Sequence, residues 1–149
     1  MPSLFSRADL DALISRIERL PAEQRPLWGK MNTAQMLAHC RAPLRVATGQ
    51  QKLKRTLIGL LFGRLAKRQL LRAAPFAKNL PTDRSFLFSD ANDTQLERDA
   101  LIDELRRFHA GGVAGLSKDP HPFFGPLTPE EWDTLQWKHL DHHLRQFGV

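Results

Sequence analysis

Cysteine is nearly absent from this chain of 149 residues: Cys40 stands alone. No internal disulfide can form, and a reducing cytosol is the expected compartment. Long apolar runs are absent too. No stretch of about 18 apolar residues occurs, so no transmembrane helix is expected. Met1 to Leu10 has no continuous apolar core and carries Asp9, which argues against a secretory leader. Acidic residues are missing between Lys52 and Arg72. Of the 22 basic residues, seven lie in that segment with none of the 16 acids, so the net charge of +6 is local rather than a global field. What remains is ordinary for a folded protein. With 42% apolar and 26% charged residues, the composition excludes a disordered or collagen-like chain. The length fits one domain over 1–149, long enough to hide roughly 68–70% of its unfolded surface.

Helix signals dominate. Ser6 caps a first helix whose Leu10, Leu13, Ile14, Ile17 and Leu20 keep the helical repeat, and Pro21 closes it. Asn32 with Gln35 forms a capping box for a second helix, from Thr33 to about Thr48, with Gly49 as its stop. A third, basic helix is expected over about Lys52 to Arg72. Leu80 to Asn92 reads as irregular or briefly extended. Thr94 with Glu97 opens a helix carrying Leu101, Leu105 and Phe108, ended by Gly111 and Gly112. Ala110 to Pro126 is rich in glycine and proline and reads as a loop. Thr128, Pro129 and Glu131 start a last helix that runs to about Phe147. The expected fold is all-α: a four-helix bundle, with the basic helix in a long crossover between bundle helices two and three.

The six histidines carry the chemistry. On the last helix, with Trp132 at zero, His139 projects near −20° and His143 near +20°, in the middle of the apolar arc, while His142 falls near −80° at its edge (all approximate). Two imidazoles four residues apart can share one metal ion. On the second helix, His39 shares a face with Met36, Ala42 and Val46. Three imidazoles thus aim into one interior with no acid beside them. An unsatisfied buried polar group costs about 1–3 kcal/mol, and a divalent metal would satisfy all three. Three His ligands with an open position match catalytic rather than structural metal sites. Since ligand imidazoles must be neutral, metal occupancy is expected to fall as pH drops through about 6.5.

Several segments also carry a resemblance: Trp28-Gly29-Lys30-Met31, Gln35 to Cys40, Asn79-Leu80-Pro81-Thr82, and above all His121 to Thr128, Glu131-Trp132 and Lys138 to Gly148. On these residues the chain resembles the DinB/YfiT-like superfamily of metalloenzymes, in a branch whose reaction is not assigned. The resemblance spans nearly the whole chain. It implies a four-helix bundle with a long crossover after the second helix. It also implies a divalent metal, often nickel or zinc, held by one His of the second helix and an H-x-x-x-H pair of the last, here His39, His139 and His143. Its activities include thiol-dependent group transfer. Metal-dependent transfer from a thiol, or hydrolysis, is therefore the expected reaction class, with no substrate indicated.

Other residues have competing readings. His121, in a Pro-flanked loop, is a candidate general acid or fourth ligand, against a plain turn contact. His142 reads as a neighbour of the site or a surface residue, and Cys40 as a buried thiol rather than a nucleophile. Trp28, Trp132 and Trp137 read as core aromatics, and Pro43 should bend the second helix beside His39. The basic helix is almost apolar in its middle. It could pack on the bundle with a solvated end, pair two copies, or bind a partner or a membrane surface in a non-catalytic protein. Arg64, Lys67 and Arg68 could instead receive an anionic small-molecule substrate. No recognised motif supports a nucleic-acid partner.

Overall fold

Among the described residues, five α-helices form where capping residues and apolar repeats coincide. The computed structural model describes residues 2–70, 72, 74–79 and 84–149. The helices are α1 (Arg7–Glu18), α2 (Thr33–Ala47), α3 (Leu57–Leu70), α4 (Thr94–Gly111) and α5 (Pro129–Gln146), with short 3-10 turns at Arg84–Phe86 and Val113–Gly115. No β-strand occurs among the described residues. Leu80, Pro81 and Thr82 of the resembling segments lie outside them.

The start signals act as their chemistry requires. Ser6 caps α1, and reciprocal capping boxes join Asn32 to Gln35 and Thr128 to Glu131, satisfying backbone donors that the first helical turn leaves free. Two boundaries differ from expectation. The cap of α4 is Asp93, whose carboxylate accepts from the Leu96 amide. Thr94 instead donates its hydroxyl to the Ala22 carbonyl, tying α4 to the α1–α2 connector. Helix α3 starts at Leu57, where the Thr56 hydroxyl accepts the Gly59 amide as a cap, rather than near Lys52.

Helix α2 packs against α4 and α5, and α1 against the same two, so these four form the bundle. Leu10, Leu13 and Ile17 meet Met36, Leu37 and Leu44, Leu101, Leu105 and Phe108, and Trp132, Leu140 and Leu144 in one core. Each such side chain contributes about 1.5–3 kcal/mol by leaving water. Asp133 accepts the Leu4 amide at 2.7 Å, and Arg16 pairs with Asp141 at 2.8 Å, fixing α5 against the N-terminal segment. Pro43 lies inside α2, which continues to Ala47.

Helix α3 sits on the crossover as expected, held from outside the core. Its buried residues are two glycines and Leu70. A Cβ on Gly59 would come within 2.7 Å of the Phe123 backbone, and one on Gly63 would collide with the Phe123 carbonyl oxygen. Only glycine allows this approach of helix to loop. The buried Lys138 ammonium of α5 donates to the Leu70 and Arg72 carbonyls, which closes the C-terminal end of α3.

Candidate metal centre

The capping boxes set the phase of α2 and α5, and that phase turns His39, His139 and His143 to one point. The ring centroids stand 4.8, 4.7 and 4.7 Å apart, a nearly equilateral triangle. One ligand atom from each lies within 4.8 Å of the others. His39 and His143 are buried, at 4% and 8% exposure, and His139 is half-buried.

Hydrogen bonds behind the rings settle which nitrogens face inward. His39 Nδ1 lies 2.9 Å from the Phe86 carbonyl oxygen. A carbonyl can only accept, so Nδ1 carries the proton and Nε2 presents a lone pair. His143 Nδ1 lies 2.7 Å from Gln146 Oε1. The same amide donates through Nε2 to the Trp28 carbonyl at 2.6 Å, which fixes its oxygen toward the ring. His143 therefore also offers Nε2. Such outer partners fix tautomer and ring orientation at metal-bound histidines.

His139 differs. Its Nε2 is 2.9 Å from Nε2 of His39, while its Nδ1 is buried with no hydrogen-bond partner among the described residues. With the His39 proton held by Phe86, the short contact requires that His139 donate from Nε2. A cation at the centre would take the place of that proton. Metal–nitrogen distances of about 2.0–2.1 Å need separations of about 3.3 Å in a tetrahedral shell, against separations of up to 4.8 Å here.

Electrostatics keep the triad neutral. Burial is the first cause lowering the pKa of each ring, assisted at His139 by the charges of His143, His39 and His142. His143 is pushed down to about 3, by burial and then by His39. Neutral imidazole is the form that binds a metal.

The structure brings together the three histidines singled out as ligands, sets His142 directly beside them and leaves His121 in its own loop. His121 turns to its own loop. Its Nδ1 accepts the Phe123 and Phe124 amides at 3.0 and 3.1 Å, and its ring packs on Phe124 and Trp132. Burial holds its pKa down to about 4. His142 is half-buried beside His143, with its ring against Trp28 and Phe76. Cys40 is buried, its thiol pKa raised by burial, and donates to Met36 Sδ. Lys67, grouped at first with Arg64 and Arg68, is taken by Glu131 at 2.6 Å.

Gln146, Gln136, Gly29 and the Phe86 carbonyl were not singled out in the sequence as parts of the site, and Trp28 was read only as a core aromatic. Gln146 is three residues from His143 and so on its face, a spacing that could have found it. Gln136, on the same arc, is fully buried with both amide atoms unpartnered among the described residues. Gly29, at φ +84, has no Cβ where one would stand 2.5 Å from Gln146 Nε2. Trp28 lies half-buried against His142 rather than in the core. The Phe86 carbonyl left no trace in the sequence, because a backbone group is the same at every residue.

Set against known proteins, the chain belongs to a family described as protein of unknown function, DUF1569, whose model matches residues 4–148. No curated protein and no solved structure matches it.

Proposed function

We propose that this family member binds one divalent cation, nickel or zinc, through Nε2 of His39, His139 and His143, as the DinB/YfiT-like resemblance implies. One observation carries the reading: three neutral imidazoles converge, two with their Nδ1 protons held from behind by Phe86 and Gln146. Bound there, the ion supplies a Lewis acid with an open coordination position. No carboxylate belongs to the triad, so the ion's charge is left uncompensated. A small anionic substrate, or a thiol taken as its thiolate, fits that balance. The reaction class is thiol-dependent group transfer or hydrolysis.

The test is a titration of tag-free, chelator-treated protein with zinc or nickel. One ion per chain is expected. The His139→Ala, His143→Ala double variant should bind about ten-thousand-fold more weakly, taking about 3 kcal/mol per ligand from the usual site energies. Undiminished binding by the double variant would refute the assignment.

A further inference from the structure

Helix α3 is amphipathic in the wrong direction for a helix packed on a bundle. Apart from Leu70 at its end, its small residues face the protein and its large apolar ones face out. Gly59 and Gly63 lie against the backbone of the Pro122–Phe124 loop. Leu57, Ile58, Leu61, Phe62 and Leu65 are 78, 64, 77, 56 and 66% exposed. At about 100° per residue they form one continuous arc. The helix cannot roll to hide them. Its glycine face is fixed by close backbone contact, Lys67 is held by Glu131, and Lys138 grips the C-terminal end.

We propose that α3 docks the protein on an anionic membrane surface, with this apolar arc among the acyl chains and its flanking cations at the headgroups. The charge pattern selects this occupant. Lys54, Arg55, Arg64, Arg68 and Arg72 form no ion pair among the described residues. Phe62, Leu65, Ala66, Arg68, Gln69 and Arg72 line one open depression, which pairs an apolar floor with two guanidiniums as a phosphate headgroup and its chains require. A second copy is disfavoured, since segment 52–72 has no acid and apposed α3 helices would repel in either direction. The polar side chains on this face, Arg68, Gln69 and Arg72, include two cations and no carboxylate, which suits anionic headgroups. Helices of this kind lie in the interface plane, buried by about 5–10 Å.

The test is co-sedimentation of the full chain with vesicles of phosphatidylcholine alone, or with about one third phosphatidylserine. Binding to the anionic vesicles should weaken with salt, and by about fivefold for each cation removed in Arg64→Gln and Arg68→Gln. Leu61→Glu should abolish it. Leu57→Glu is a second variant at an equally exposed site, and thermal melts check that both fold. Three results would overturn the proposal: no binding to anionic vesicles, equal binding to neutral ones, or a dimer dissolved by Leu61→Glu without vesicle binding. None of these bears on the metal centre, which is titrated separately.

Discussion

The interior face of α5 and the outer face of α3 break the same rule in opposite directions. On α5, Gln136, His139 and His143 occupy positions where a bundle helix ordinarily places leucine. On α3, five large apolar residues occupy positions where a surface helix ordinarily places lysine or glutamate. Buried polar atoms without partners and exposed apolar arcs both cost free energy in an isolated chain. On the readings proposed above, the complement of each face lies outside the polypeptide: a cation on one side, an apolar medium on the other.

The comparison can be broken most strongly by pH. In the unfolded chain, histidine takes its proton near pH 6.5. In the fold, burial lowers the pKa of His39, His139 and His143, the last to about 3. Between those values the unfolded state binds more protons, so stability is complete above about 6.5 and falls as pH drops below it. The metal-free protein should lose about 1.4 kcal/mol per pH unit for each such histidine. Urea unfolding between pH 7 and 4 measures the slope, and His143→Ala should flatten it. An unchanged slope would mean that the rings are not held neutral.

Smaller effects sharpen the contrast. Gln146→Leu removes the acceptor behind His143 and should weaken metal binding by about 10–100-fold in a competition titration. Gln136→Leu should do the opposite of an ordinary core substitution. Replacing a buried, unpartnered amide should raise the melting temperature, by about 1–3 kcal/mol of stability. A loss instead would show that the amide has a partner in solution. The smallest effect belongs to α3: Leu61→Glu, at 77% exposure, should change stability by less than about 0.5 kcal/mol.

Much of this was legible in the residues. The all-helical fold followed from caps and periodicity, and projection placed His139 and His143 on one interior arc that His39 meets. Less was legible where side chains compete for the same job. Asp93 and Thr94 can both cap a helix, and only packing against Ala22 decided between them. The face of α3 was hidden because periodicity locates a stripe without saying which side turns inward; the glycines did that. The pH reading moved as well. From the ordinary imidazole pKa, proton competition for the metal sets in near 6.5. Burial carries that competition lower and leaves unfolding as the event below 6.5.

The most direct measurement is the X-ray absorption spectrum of the protein loaded with one equivalent of zinc or nickel, read for its ligands. The account predicts three imidazole nitrogens at about 2.0–2.1 Å in the zinc-loaded protein, and their loss from the spectrum of the His139→Ala, His143→Ala variant. A first shell of oxygens alone, or one identical in the variant, would contradict it.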